Sequence, residues 1–78
     1  MQCFFVQIRC ALGKAYEVAE ALSDAEIASE IYSTSGDWDL LAKIYVDDET
    51  DIGRFVNANV HGITGIERTL TTLTFKAF

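Results

Sequence analysis

Alternation of apolar and polar residues predicts strands at both ends and in the middle of the chain. The first strand covers residues 2–10, with three residues on its apolar face: Phe4, Val6 and Ile8. The third strand covers residues 39–46 and has four such residues: Leu40, Ala42, Ile44 and Val46. A mixed stretch near residues 27–34 predicts strand two. The threonine-rich residues 66–77 predict strand four, because threonine favours strands.

Two segments between these strands have helical spacing instead. Residues 14–23 carry one apolar stripe at the positions i, i+3, i+4 and i+7, namely Ala15, Val18, Ala19 and Leu22. Roughly residues 49–59 form the second helix, with an inward stripe of Ile52, Phe55, Val56, Asn59 and Val60. An acidic run, residues 47–51, precedes it, and we expect Asp48 to cap the first free N–H groups. As a metal site this run lacks the glycine and terminal glutamate of an EF-hand loop, so no metal is predicted.

The resulting order β-α-β-β-α-β predicts an α+β, ferredoxin-like fold, with two helices on one face of a four-stranded antiparallel sheet. We expect a single domain, residues 1–78, with a thin core. Strand parity places five large side chains on the other sheet face: Phe5, Leu41, Tyr45, Leu73 and Phe75. An exposed apolar patch of this kind usually marks an interface. We therefore expect an obligate dimer in which two sheets pack face to face.

Composition and charge exclude several classes of function. The net charge is −6 and the six basic residues are scattered, so direct nucleic-acid binding is not expected. Cys3 and Cys10 point to opposite faces of one strand and cannot bridge each other, and a single histidine does not make a zinc site. No cofactor is predicted. Apolar runs are too short for a membrane span and no basic segment opens a signal peptide, which favours a cytoplasmic protein.

The hairpin between strands two and three is the most distinctive stretch. Gly36-Asp37 has the composition of a tight turn, because glycine supplies a positive φ and aspartate bonds its own backbone. Trp38, the only tryptophan, is predicted to lie on this turn, where its own domain offers few neighbours. We expect a second subunit or a ligand to cover it.

These features together resemble the C-terminal effector-binding domain, known as RAM, of the Lrp/AsnC (feast/famine) transcriptional regulators. The matching residues are Gly13-Lys14, Gly36-Asp37-Trp38-Asp39-Leu40-Leu41, Asp48, Gly65-Ile66, Thr69 and Thr71. The resemblance spans essentially the whole chain. Full members begin with a helix-turn-helix domain, whereas this chain resembles the stand-alone sensor members that lack it. His61-Gly62-Ile63-Thr64 departs from the usual Leu/Ile-Pro-Gly pattern, a difference expected to affect only that loop.

The resemblance implies binding of a free amino acid or similar small metabolite at the contact between dimers, which commonly assemble into octameric rings. The residues implied in ligand binding are Gly36, Asp37, Trp38, Asp39, Leu40, Thr69, Thr71 and Thr72. Either Asp37 or Asp39 is expected to bind the ligand ammonium, and the backbone of the turn its carboxylate. Any effect on transcription would be indirect, through full-length Lrp/AsnC regulators that bind DNA.

Each of these residues also has a plain structural interpretation. The turn needs no ligand, Asp39 can stabilise the turn, Trp38 can fill a subunit interface, and the threonines are ordinary strand residues. Two other functions stay open. Dimeric ferredoxin-like domains include monooxygenase-type enzymes, but His61 stands alone in a predicted loop without a nucleophile–base pair, so an enzyme is not expected. A ligand-free assembly module that pairs with DNA-binding homologues is the other alternative.

Overall fold

The computed structural model describes all 78 residues, Met1–Phe78. Its six elements follow the predicted order: β1 (Gln2–Cys10), α1 (Ala15–Asp24), β2 (Glu30–Ser33), β3 (Leu40–Val46), α2 (Ile52–Asn59) and β4 (Ile66–Leu73). The sheet has the order β2-β3-β1-β4, and every neighbouring pair is antiparallel. The ferredoxin-like α+β prediction is confirmed. With 10 and 8 residues, neither helix has the length and apolar character needed to cross a membrane.

The core lies between the sheet and the two helices and consists of apolar residues alone. The predicted apolar faces of β1 and β3 are buried, as are Val18 and Leu22 of α1 and Val56 and Val60 in and after α2. The ring of Phe4 meets that of Phe55 edge-on, with centroids 6.2 Å apart. Strict alternation produces this burial because only one face of each central strand looks toward the helices.

Helix α2 begins three residues later than predicted. Asp51 is its N-cap, and the Asp51 carboxylate accepts a hydrogen bond from the Arg54 N–H at 3.1 Å. The expectation that Asp48 caps this helix is wrong, since its carboxylate lies 3.2 Å from the amino group of Met1. The prediction that Asn59 belongs to the inward stripe is also wrong. It is exposed, and its side-chain amide donates to the Phe55 carbonyl within the helix.

Strand β4 places Leu73 on the face of the sheet opposite to the one predicted. Leu73 pairs with Phe4 across β1 and β4, and directly opposed residues share a face. Leu73 therefore lies on the helix side, and its predicted place on the other face is wrong. The alternation within β4 separates its residues into two sets. Only the register against β1 shows which set faces the helices. Phe75 lies beyond the end of the strand and is 96% exposed.

We call the sheet face opposite the helices the open face. Register places twelve residues of the four strands on it: Cys3, Phe5, Gln7, Arg9, Glu30, Tyr32, Leu41, Lys43, Tyr45, Arg68, Leu70 and Thr72. Phe5, Leu41 and Tyr45 lie where the sequence predicted them. The face also carries charge, since the ammonium of Lys43 lies 3.4 Å from a Glu30 carboxylate oxygen.

Candidate functional site

The loop between β2 and β3, residues 34–39, is closed by its own hydrogen bonds. The Thr34 N–H donates to the Asp39 carbonyl at 2.9 Å, and the Thr34 hydroxyl donates to the Trp38 carbonyl at 2.8 Å. Gly36 has a φ of +90°, a conformation that strains any residue with a side chain. The sequence prediction of a glycine turn at this position is confirmed.

Three hydrogen bonds tie this loop to the end of β1. The Asp39 N–H donates to the Ile8 carbonyl at 2.9 Å, and the Cys10 N–H donates to Asp39 Oδ2 at 2.7 Å. The Arg9 guanidinium donates through Nη1 to the Asp37 carbonyl at 3.0 Å. Asp39 thus has a structural partner for one carboxylate oxygen, and we call its bond to Cys10 the Asp39 latch.

Beside the latch is a cleft of about 310 Å³, which we call the hairpin cleft. Its polar residues are Arg9, Asp37, Asp39 and Glu67. Its apolar residues are Cys10, Ala11, Leu12 and Ala15, and Gly13 and Gly36 complete the lining. The volume falls at the lower end of the range of small-molecule sites, roughly 300–1,000 Å³. The cleft is large enough for a ligand of amino-acid size.

The charged groups of the hairpin cleft are only partly paired within the chain. Arg9 Nε lies 3.7 Å from Glu67 Oε1. The Asp37 carboxylate has neither a hydrogen bond nor an ion pair, because Arg9 contacts the main-chain carbonyl of Asp37 instead. Burial raises the pKa of the Cys10 thiol, and the nearby Asp39 and Glu67 carboxylates raise it further. The cleft therefore presents one cation, one free carboxylate and a thiol that stays protonated.

Three of the eight predicted ligand residues line this cleft: Gly36, Asp37 and Asp39. Leu40 does not, since it is 1% exposed and belongs to the core. Trp38 also lies outside the lining. Its ring is half-buried, and the Arg68 guanidinium carbon lies 5.3 Å from the ring centroid. Arg68 of β4 thus covers part of the Trp38 ring, which was predicted to be covered by a ligand or a second subunit.

The strand-four threonines are not gathered at the cleft. Thr69 and Thr71 pair with Ile8 and Val6 on the helix side of the sheet, whereas Thr72 faces the other way. The Thr69 hydroxyl lies 2.8 Å from Nε2 of His61, so it already has a partner. The predicted set is therefore divided between two faces of the sheet.

Sequence reasoning missed Arg9 and Glu67 as cleft residues, together with Leu12 in the β1–α1 loop. The two charged residues meet because the end of β1 pairs with the start of β4, where the register shifts between Arg9 and Cys10. A register shift adds a residue to one strand. The alternation of apolar and polar residues in the two strands does not indicate such a shift, so it could not be predicted from the sequence. No group of three or more His, Cys, Asp or Glu residues is placed to hold a metal ion.

A second, more apolar cleft of about 590 Å³ lies at the far end of the open face. Phe5, Tyr45 and Phe75 contribute to it, together with Lys43. Lys43 lies over the Tyr45 ring, 5.4 Å from its centroid. A hydrogen bond from the Tyr32 hydroxyl, and secondarily the charge of Lys43, lowers the pKa of the neighbouring Glu30 carboxyl. This end of the face thus combines aromatic rings with a polar network.

Comparison with curated proteins identifies transcriptional regulators as relatives. The HTH-type transcriptional regulator FL11 of Pyrococcus abyssi is 33% identical over 72 residues, covering 92% of this chain and 47% of the regulator. The chain spans about half the length of the curated relatives it matches.

Solved structures share the fold along the whole chain. TTHA0845 from Thermus thermophilus is 31% identical with a TM-score of 0.89, and the match covers 100% of this chain and 98% of that one. The regulator NMB0573 from Neisseria meningitidis, solved as a complex with L-Met, has a TM-score of 0.82. That match covers 96% of this chain and 50% of the regulator, and at 16% identity it is a likeness of fold alone. The family model of the Lrp/AsnC ligand-binding domain matches residues 3–78, and the chain belongs to that family.

Proposed function

We propose that this domain binds a free amino acid in the hairpin cleft and acts as the effector-sensing part of Lrp/AsnC-type regulation. The observation that carries the proposal is the presence, in one cleft, of the Arg9 guanidinium and of the unpartnered Asp37 carboxylate. An amino-acid zwitterion needs both an anion for its ammonium and N–H donors for its carboxylate. The cleft offers one of each.

Each end of the zwitterion has an assigned partner in this proposal. Asp37 binds the ammonium, because its carboxylate is free. Arg9 carries five N–H donors, and its contacts to the Asp37 carbonyl and to Glu67 leave others for the ligand carboxylate. The planar guanidinium matches a carboxylate in a bidentate manner, which adds direction as well as strength. Asp39 holds the cleft in shape through the Asp39 latch.

The relatives support a sensory rather than a catalytic role. The curated matches are transcriptional regulators, and the Neisseria protein of the same fold was solved with L-Met bound. His61 is exposed and its ring contacts only Asn57 and Thr69, which does not make a catalytic pair. With a net charge of −6, the domain would influence transcription through a homologue that binds DNA.

Assembly is part of the proposal. Two copies pack through their open faces, where Phe5, Leu41 and Tyr45 cluster. Dimers then join into a larger particle such as an octamer, with the hairpin clefts at the contacts between dimers. Covering the cleft by a neighbouring subunit would couple ligand binding to assembly, because the ligand would then stabilise one arrangement over others.

A thermal-shift screen of the common amino acids tests the proposed function. A ligand present at a hundredfold excess over its dissociation constant stabilises the folded state by about 2.7 kcal/mol. We expect a selective rise in Tm for the wild type that Asp37→Asn abolishes. The control Asp48→Asn removes an exposed carboxylate at the opposite end of the sheet and is expected to keep the shift. No shift with any amino acid would contradict the proposal and favour a ligand-free assembly module.

A further inference from the structure

We infer that two copies of this chain exchange the segment that follows β4, each copy docking residues 74–78 into the apolar cleft of the other. We call residues 74–78 the exit segment, and the apolar cleft is the one of about 590 Å³ at the far end of the open face. The inference rests on the self-assembly in the proposed function and adds the segment through which the copies hold each other. The exposed aromatic rings of the segment, the lining of the cleft and their charges carry it.

The exit segment leaves the sheet with its aromatic side chains uncovered. The Thr74 hydroxyl donates to the Cys3 carbonyl at 2.8 Å, and beyond it no hydrogen bond joins residues 75–78 to the rest of the chain. Phe75 is 96% exposed and Phe78 is fully exposed, although phenylalanine is among the residues most often buried in folded proteins. The segment thus presents two large apolar groups that its own domain does not cover.

The apolar cleft lies beside the exit segment and has a lining suited to such groups. Phe5 and Tyr45 of the open face line it, together with Ile52 of α2 and Leu73 at the end of β4. An aromatic ring that covers this lining removes apolar area from water on both partners, which is favourable in proportion to that area. The exit segment passes along the cleft of its own chain, but its rings stay exposed, so it does not fill that cleft.

The neighbouring positions of segment and cleft suit a reciprocal exchange between two copies. In a pair related by a two-fold axis, every contact from the first copy to the second is matched by the same contact in the opposite direction. A two-fold axis that passes near the cleft therefore lets both exit segments dock at once. Phe5 and Tyr45 belong to the open face as well as to the cleft, so the exchanged segments extend the proposed contact between the two sheets.

Charge favours a second copy as the occupant of the cleft. The Lys76 ammonium in the exit segment has no carboxylate partner in its own chain. The acidic run, residues 47–51, flanks the cleft, because Gln2 of the lining donates through its side-chain amide to two main-chain carbonyls of that run. Within the run, the Glu49 carboxylate has neither an ion pair nor a hydrogen bond. A segment from a second copy brings its free cation to this free carboxylate, and such complementarity fixes the orientation of the contact.

Cross-linking between two different variants tests the exchange, because Cys3 lines the apolar cleft. The first variant carries Cys10→Ala and keeps Cys3 as its only thiol. The second carries Phe78→Cys together with Cys3→Ser and Cys10→Ala. After the two are refolded together, we expect a short bismaleimide to join Cys3 of the first variant to the introduced thiol of the second, as identified by mass spectrometry. With Tyr16→Cys in place of Phe78→Cys, a change at an exposed residue outside the cleft lining, this product is expected to be lost.

The mass of the particle, measured by light scattering over a range of concentrations, tests the contribution of the two rings. Phe75→Ser combined with Phe78→Ser is expected to raise the dissociation constant of the assembly at least about tenfold, because the rings no longer bury apolar area. Phe75→Leu combined with Phe78→Leu keeps most of that area and is expected to have a smaller effect. Tyr16→Ser is the matched control and should leave the dissociation constant unchanged.

The contradicting outcomes separate this inference from the proposed function. If the wild type assembles but the serine variant assembles equally well and no product forms at Cys3, the copies associate without exchanging segments, and the inference is wrong although the proposed function stands. If a chain that carries both Cys3 and Phe78→Cys is cross-linked only within itself, the segment covers its own cleft, which also overturns the inference. If the wild type is a monomer at every concentration, the inference fails together with the proposed assembly, whereas the thermal-shift screen still decides amino-acid binding.

Discussion

Asp39 joins two parts of the chain that are distant in sequence. Its carboxylate accepts the Cys10 N–H at 2.7 Å, while its own N–H donates to the Ile8 carbonyl. A hydrogen bond to a charged group contributes roughly 1.5–3 kcal/mol, and removing the acceptor leaves a partly buried donor unsatisfied. Asp37, two residues earlier, makes no side-chain contact of this kind. The two aspartates of the hairpin therefore have different roles, one in the fold and one in the proposed ligand site.

Replacing each aspartate by alanine separates these roles. Asp39→Ala is expected to lower the free energy of unfolding by about 1.5–3 kcal/mol, because the Cys10 N–H loses its acceptor. Asp37→Ala, the matched control, is expected to change it by less than about 0.5 kcal/mol. Urea denaturation measures both. Equal losses in the two variants would show that the latch does not stabilise the fold.

The two cysteines are expected to react at different rates. Cys10 is 7% exposed, and burial with the nearby carboxylates raises its pKa above the ordinary value of 9.0, so little thiolate forms near pH 8. Alkylation followed by mass spectrometry of Cys3→Ser and Cys10→Ser variants measures each thiol alone. We expect Cys10 to react more slowly than Cys3 in the folded protein, and at a similar rate in urea.

The same raised pKa has a consequence for stability. The folded state holds the Cys10 proton more tightly than the unfolded chain does, so this contribution is complete below pH 9.0 and is lost as the pH rises through the higher folded value. Cys10→Ser is expected to remove that part of the alkaline decline in Tm. Rapid alkylation of Cys10 in the folded protein would contradict both expectations.

At the scale of elements, the central strands could be predicted because each has one fully buried face, and alternation records burial directly. Which residues of β4 face the helices could not be predicted, since Leu70, Thr72 and Leu73 make both faces of the strand mixed in polarity. Only the pairing with β1 decides between the two faces. The start of α2 was ambiguous for another reason. Several aspartates in residues 47–51 are suitable caps, and backbone geometry selects one of them.

The choice of cap is directly testable. Asp51→Ala removes the acceptor of the Arg54 N–H and is expected to destabilise the protein by about 1 kcal/mol. Asp48→Ala removes only an exposed ion pair with the amino group of Met1 and is expected to have little effect. Thermal unfolding of the two variants side by side decides the matter. A larger loss of stability in Asp48→Ala would show that Asp48 is the N-cap, as the sequence predicts.

The candidate site was partly visible in the sequence. The turn at Gly36 and Asp37 could be predicted because glycine and aspartate have local conformational preferences. Arg9, Leu12 and Glu67 come from three other segments, and nothing local links them to the hairpin. They meet at the cleft through the register of β1 with β4 and through the β1–α1 loop, both of which are properties of the folded chain.

At the scale of the whole molecule, the main feature is the apolar surface of the open face. It carries Phe5, Leu41, Tyr45 and Leu70 in a domain of 8.7 kDa, and small domains gain stability when such surface is covered. The Lys43–Glu30 pair lies beside these side chains and would give the contact a polar rim.

A charge at the centre of the open face is expected to prevent assembly. Leu41→Glu would place an unpaired carboxylate between two packed sheets, which is costly. Light scattering is expected to give the 8.7 kDa monomer mass for this variant and a multiple of it for the wild type. Tyr16→Glu, on the exposed side of α1, should assemble like the wild type. An unchanged mass for Leu41→Glu, in a variant that circular dichroism shows to be folded, would mean that the copies associate through another surface.

The central claim is that an amino acid binds in the hairpin cleft, and hydrogen–deuterium exchange, with and without the amino acid that raises Tm most, tests it most directly. Bound ligand lowers local opening, so amides near it exchange more slowly. We expect protection in peptides covering residues 9–13 and 36–39, and little change in peptides from the far end of the sheet. Protection that appears only around Phe5, Tyr45 and Phe75 would place the ligand in the apolar cleft and contradict the account.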